Sequence, residues 1–348
     1  MKKFIWVLMV LLLCASFLMA AGGAQGGAPK AEVPTFAGKN VRLVIGSTAT
    51  AGDSYLIAEV TSRYLSKVLN CNIKVDAIGA AKAFDAMITS KPDGNTMMLF
   101  HDMTYLGVAF KAFEDIYRIE NMTVGPRAVQ NPLAAWASLK GAPYNNFVEV
   151  AEYLKNSPNE VISMCLEAGG VSHIGFIAYW DWVKRAYGEG VAKRIKVFIG
   201  GSTDQKIQVL VDRNTDIIFA DYTSLIDYTK TDDPKIAMKY MGLMDNLAGI
   251  NVPSYADMKI TYANGQPFKF SKDFIFYMPK DFPQALVDEL NKGMEQVSKD
   301  PQFAADLAKM WYRPAYLDNT AAKNFIYEKR GQVQGLIDSA PKLDDLVK

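Results

Sequence analysis

Histidine and cysteine are scarce in this chain. Its 348 residues hold two histidines, His101 and His173, and three cysteines, Cys14, Cys71 and Cys165. None of these falls in a Cys/His cluster with ligand spacing, so neither a metal site nor any cofactor is expected. A chain of this size does not depend on a disulfide, and pairing of Cys71 with Cys165 stays open. Net charge is missing as well. Lysine and arginine number 38 against 37 acidic residues, and losing Lys2 and Lys3 with a leader keeps the balance near zero. No basic field exists for nucleic acid or an anionic membrane. Short-period repeats, heptads and a long charged tail are also lacking, which argues against a scaffold or chaperone-like role.

What is present begins at the N-terminus. Lys2 and Lys3 precede an apolar run from Phe4 to Leu13, and Ala20, Ala21 and Gly22 follow. This spacing predicts a cleaved signal peptide over residues 1–21, with the mature chain starting between Ala21 and Gln25 and placed outside the cytoplasmic membrane. Cys14 raises the alternative of a lipid anchor. However, the bulky Leu13 stands where a lipobox needs a small residue, and apolar sequence continues to Met19. Residues 22–38, rich in Gly, Ala, Pro and Gln, read as a flexible tether.

The rest is too long for one core, and half the composition is apolar, so two domains are expected. Val41–Ile45 reads as a strand, and Asp53 as the cap of a helix with Leu56, Val60, Tyr64 and Val68 on one face. Strands at 73–75 and 96–100 flank a helix at 83–89. A second run follows: extended chain at 133–137, helices at 147–155, from Ser172 to 186 and at 204–211, and strands at 161–164, 197–199 and 217–219. A last strand at 274–278 precedes helices at 283–299 and 301–309, whose stripe Leu286, Leu290, Met294 and Val297 is apolar. Short strands alternating with helices predict an α/β fold with a parallel-rich mixed sheet in each domain. Domain 1 is expected from 39–132 plus 251–348, with domain 2 (133–250) inserted. The aromatic residues Tyr179, Trp180 and Trp182, at helical spacing, are expected in the core.

Two loops share a design. Ser47 to Asp53 and Glu167 to Ser172 each run through small residues from a strand end into a helix start. Such a junction offers free N–H groups and the positive helix end to an anion. Ser47, Thr48, Thr50 and Ser172 add hydroxyls. In open α/β sheets ligands sit at these carboxyl ends of strands. His101 and Asp102, after the strand at 96–100, either line the same cleft or bond each other.

Lys91-Pro92-Asp93-Gly94-Asn95-Thr96 leading into Met97-Met98-Leu99-Phe100 resembles the P-D-G-Y-T-L-L segment of the Bug/TctC family, the extracytoplasmic receptors of tripartite tricarboxylate transporters. Gly170-Val171-Ser172-His173-Ile174 is similar to the family's G-S-S-S-H-L. Asn131-Pro132-Leu133, Thr215-Asp216-Ile217, Val252-Pro253-Ser254 and Lys299-Asp300-Pro301 keep its order. The resemblance covers roughly Lys39 to Leu336. It implies a two-domain periplasmic-binding-protein fold, a type II-like Venus flytrap, closing over a small organic acid held by loop amides and passing it to integral-membrane transporter subunits. A monomer is expected. By the same resemblance the ligand loops fall on Ser47, Thr48, Ala49, Thr50 and Asp53, on Ala80, Ala81 and Lys82, on Gly169, Gly170, Val171, Ser172 and His173, and on Gly201 and Ser202. Asp221, just past the strand at 217–219, joins the candidates. Ala49 and Thr50 replace the family's paired glycines, and Lys82 is the only cation in the four loops. The expected site is therefore a cradle of neutral hydrogen bonds.

The alternative is an SGNH-like esterase with Ser54 of Gly52-Asp53-Ser54 as nucleophile. That class needs its G-D-S directly after the first strand and an Asp-x-x-His near the C-terminus. Residues 46–51 intervene here, and no histidine follows His173.

Overall fold

Alternating apolar strands and amphipathic helices build two mixed sheets. The first begins with β1 (Asn40–Ile45), α1 (Asp53–Val68), β2 (Asn72–Ala77), α2 (Ala80–Thr89), β3 (Thr96–Phe100) and α3 (Met103–Ala109). The computed structural model describes residues 33–50 and 52–347, so the leader and most of the tether lie outside the described residues. β1 runs parallel to β2 and to β3, which turns the three strand-to-helix junctions to one edge. Then β4 (Met122–Asn131) leads out of this sheet.

The second sheet repeats the plan with β5 (Ala134–Leu139), α4 (Phe147–Asn156), β6 (Ile162–Leu166), α5 (Val171–Tyr187), the short α6 (Glu189–Ala192), β7 (Ile195–Ile199), α7 (Thr203–Val211), β8 (Ile217–Asp221), α8 (Tyr222–Lys230) and β9 (Met238–Leu243). Its parallel triple is β7-β6-β8, and β5 pairs antiparallel with β8 and β9. The chain returns through β10 (Lys272–Pro279), then α9 (Gln284–Ser298), α10 (Pro301–Ala308), β11 (Arg313–Leu317) and α11 (Asn319–Ser339). The strand orders are β11-β4-β10-β3-β1-β2 and β7-β6-β8-β5-β9.

Each core follows from its pattern. Leu286, Leu290, Met294 and Val297 of α9 are buried in the first sheet's core with Leu65 of α1. Helix α5 carries Tyr179 and Trp180 into the second core, where Tyr179 meets Phe147 at 4.5 Å between ring centres. The ten-residue β4 has no apolar alternation, because Gly125-Pro126-Arg127 interrupts it. Between Tyr277↔Val124 and Ile275↔Arg127 the register shifts, so Pro126, which has no N–H to give, falls at a bulge.

Packing differs from the expected boundary at 251. Residues 252–270 stay with the second sheet: Ser254 bridges Leu243, and Tyr255, Phe268 and Phe270 join the core around Trp136 and Phe147. Irregular backbone hides this in the sequence, since aromatic anchors without periodicity carry no element signal. The C-terminal tail also ends on the second sheet, where Val197 N–H donates to the Leu346 carbonyl. Cys71 and Cys165 are both free thiols.

Strand β10 starts with two charges on opposite faces. Asp273 accepts from Arg127 at 2.8 Å and from Lys329 of α11 at 2.6 Å, and its N–H donates to Asp102 at 2.9 Å. Asp102 also pairs with Lys329 and accepts from the Tyr105 hydroxyl. It makes no bond to His101 and is fully buried among these partners. The Lys329 ammonium sits 4.1 Å from the centre of the Phe270 ring, so one lysine fastens α11 to both the return strand and the aromatic segment. Lys329→Met leaves Asp102 buried without its cation and is expected to lower unfolding free energy by about 3–5 kcal/mol in urea titration. A loss below about 1 kcal/mol would mean that these carboxylates do not depend on it.

Candidate functional site

The parallel strands of both sheets end at one cavity of about 490 Å³. From the first sheet come the β1–α1 loop, Ala80 at the start of α2, Phe100 at the end of β3 and His101 just after it. From the second come Glu167 and the start of α5, the start of α7, and the end of β8. Lys272, the first residue of β10, closes the floor.

Most of the sequence-derived set faces this space. Ser47, Thr48, Ala49, Asp53 and Ala80 line it from the first sheet, together with His101. From the second sheet Gly170, Val171, Ser172, Gly201, Ser202 and Asp221 do so. Thr50, Ala81 and Lys82 are exposed residues outside the lining, so the one cation that sequence reasoning put in the loops is not in the wall. Asp102, Gly169 and His173 are buried behind it. Gly169 is where the chain needs glycine: its φ is +77°, and a Cβ there would lie 2.7 Å from that of Ala112.

Several polar groups have local duties. Asp53 is not the cap of α1. That position belongs to Gly52, which supplies no side-chain bond, and the same holds for Gly79 at α2 and Gly170 at α5. Three helix starts therefore have no capping side chain at the N-cap, although in α1 the Ser54 N–H donates to Asp53 Oδ1 at 2.7 Å. The start of α7 is closed by a capping box between Ser202 and Gln205. Ser47 Oγ accepts from the Ala49 N–H at 3.0 Å, while Ser172 Oγ accepts from the Glu167 N–H at 2.9 Å and donates to its carbonyl. These two hydroxyls hold their loops in shape.

Asp53 is instead part of an ion cluster. The Lys272 ammonium lies 2.7 Å from Asp53 Oδ2 and 2.7 Å from Asp221 Oδ1. Asn131 Nδ2 donates to the same two oxygens at 3.3 and 3.0 Å. Burial pushes the Asp53 carboxyl up, but the neighbouring Lys272 and His101 and the bonds from Lys272 and Asn131 outweigh it and hold it at about 2. Burial likewise works against the Lys272 charge, and the two carboxylates reverse it, keeping the lysine protonated.

Lys272, Asn131 and Lys206 were not singled out by sequence. Lys206 of α7 lines the cavity and is 5% exposed, yet its ammonium has no hydrogen-bond or ion-pair partner among the described residues. A signal existed: Lys206 falls one helical turn from Leu210, on the face that α7 buries. Lys272 likewise stands at the head of the wholly apolar run Phe274–Met278. Among the described residues no three His, Cys, Asp or Glu side chains gather as a metal-binding group, and no helix is long and apolar enough to cross a membrane.

No protein-family model and no curated protein matches the sequence. Solved structures do match. A TctC solute-binding protein from Polaromonas aligns over 87% of this chain and 99% of its own, at 17% identity and a TM-score of 0.62. MatC from Rhodopseudomonas palustris with bound malate covers 86% and 99%, at 16% identity and 0.65. The periplasmic binding protein BugD covers 89% and 99%, at 17% identity and 0.66. The fold is that of the periplasmic solute-binding proteins. In this solute-binding fold the type II-like expectation of two mixed α/β sheets holds, and the strand-end cavity lies between them.

His173 gives this fold a pH dependence. Its ring stacks on Phe110 at 3.9 Å, Nδ1 accepts from the Gly169 N–H at 3.2 Å, and Nε2 is buried without a partner. Burial lowers its pKa to about 4. The unfolded chain takes up a proton near pH 6.5 that the folded one refuses, so stability is full above that pH and falls as pH drops toward 4. The expected loss is about 3 kcal/mol. Urea titrations at pH 7 and 4.5 should show His173→Gln with a distinctly flatter dependence than wild type; equal slopes would mean that the folded imidazole protonates freely.

Proposed function

We propose that this chain is an extracytoplasmic solute-binding protein of the Bug/TctC kind, a monomeric receptor and not an enzyme. It captures a small carboxylate-bearing metabolite between its two sheets and delivers it to the membrane subunits of a tripartite tricarboxylate-type transporter. The observation that carries this reading is the convergence of strand-end junctions from both sheets on one cavity, with helix starts lacking side-chain caps in its wall. The malate bound to MatC, which shares the fold, supports a carboxylate as the ligand class. Export follows from the leader read at 1–21, with release by cleavage.

The two sheets form lobes that close about the segments joining β4 to β5 and Ser271 to β10. The esterase alternative has little support. Ser54 Oγ lies 3.4 Å from Asp53 Oδ1, its one side-chain neighbour in hydrogen-bond range among the described residues, and that aspartate is engaged by Lys272. Neither histidine is hydrogen-bonded to Ser54 among the described residues.

Mass spectrometry of small molecules released by denaturing the purified protein identifies the ligand, and scattering with and without it reads the closure. A carboxylate metabolite and a smaller radius of gyration on rebinding are expected. A released compound without an acidic group, or an unchanged radius at saturation from an open free form, contradicts the reading.

A further inference from the structure

The expected cradle of neutral hydrogen bonds omits the most unusual group in the cavity. Lys206 is 5% exposed, and its ammonium is 5.6 Å from the centre of the Phe219 ring with no carboxylate in ion-pair range among the described residues. The other lysine of the wall, Lys272, is taken by Asp53 and Asp221. Glu167 also lines the cavity but stays beyond ion-pair distance of Lys206; burial pushes its carboxyl up, and the Lys206 and Lys272 charges oppose this.

The stem of Lys206 is buried and its ammonium borders the cavity with no carboxylate to pair with, which leaves a largely desolvated charge uncompensated in the ligand-free protein. Burial pushes its pKa down, and the Glu167 and Asp221 charges only partly oppose this. An acidic ligand group entering the cavity removes that penalty, which neither water nor a neutral ligand does to the same degree.

Resting on the carboxylate-receptor reading, we propose that Lys206 is a specificity-determining residue that binds an acidic group of the ligand at the second sheet. A separate acidic group goes to the helix starts of the first. The two anchors lie on opposite walls: α1 and α2 begin at Gly52 and Gly79 without side-chain caps, and Lys206 lies in the first turns of α7. The ligand therefore carries two acidic groups, and Lys206 rejects analogues in which one of them is neutral. The base of its four-carbon stem passes beside Gly200, where a Cβ would come 3.1 Å from Lys206 Cγ, so a larger residue at 200 would crowd the lysine.

The test uses calorimetric titration of the full mature chain with malate, adipate and the monoamide of adipate, on wild type, Lys206→Met and Lys206→Arg. Wild type should bind a diacid at least tenfold more tightly than the monoamide. Lys206→Met should lose tenfold or more for the diacid and erase the difference, while Lys206→Arg keeps part of it. A second readout needs no ligand: Lys206→Met should raise the melting temperature of the ligand-free protein, because an uncompensated buried charge is gone. Diacid binding that is equal in wild type and Lys206→Met overturns the inference and leaves the carboxylate reading standing. A lowered melting temperature of ligand-free Lys206→Met also overturns it, by making the lysine a structural residue. If none of the three acids binds wild type, the carboxylate reading falls and the inference falls with it.

Discussion

One ammonium ties the molecule together at the place where it must also bind. Lys272 opens the return strand, Asp53 opens the first helix of the first sheet, Asp221 ends a strand of the second, and Asn131 ends the strand that leads out. Both crossings between the sheets therefore contribute to a single buried cluster. Such a cluster adds little stability over a well-packed apolar equivalent, but removing one member leaves a charge without compensation. Its value is positional: it fixes how the strand ends of the two sheets face each other, and with them the shape of the cavity.

That constraint explains the division of labour around the cleft. Asp53 turns Oδ2 to Lys272 and keeps Oδ1 on the Ser54 N–H at 2.7 Å, and with Gly52 at the N-cap α1 starts at the cavity wall without a capping side chain there. The loop hydroxyls of Ser47 and Ser172 satisfy their own backbones and set loop shape. On its opposite face β10 presents Asp273 to Arg127 and Lys329, so the return strand is clamped from both sides. The long helix α11 is thereby fastened to the strand about which the lobes are proposed to move.

The architecture was legible wherever apolar periodicity matched an element. The strands from 41 to 45 and 96 to 100, the helix face Leu286–Val297 and the two Gly-rich junctions are where sequence reasoning put them. Elements were missed where polar or proline residues interrupt the pattern, as in β4 at Gly125-Pro126-Arg127, or where burial is aromatic and aperiodic, as between Tyr255 and Phe270. The loops of the cleft were found because glycine and small residues mark strand-to-helix junctions. Asp53 and Asp221 were found too, but the lysines were not, because a buried lysine looks like a surface lysine until the fold shows what surrounds it. Lys82 was chosen as a loop residue but sits on the exposed side of the first turn of α2, whereas Lys206 and Lys272 are buried at the starts of α7 and β10 and are the ones in the wall.

The central claim is that Lys272 holds both sheets through two carboxylates at once. A double-mutant cycle with Asp53→Asn and Asp221→Asn, read by urea unfolding at pH 7, tests it directly. Each single change leaves the lysine with one partner, and the double leaves it buried with none. The double variant should lose more than the sum of the singles, by about 0.5–3 kcal/mol. Strict additivity would contradict the account, because it would mean that the two carboxylates do not share the lysine.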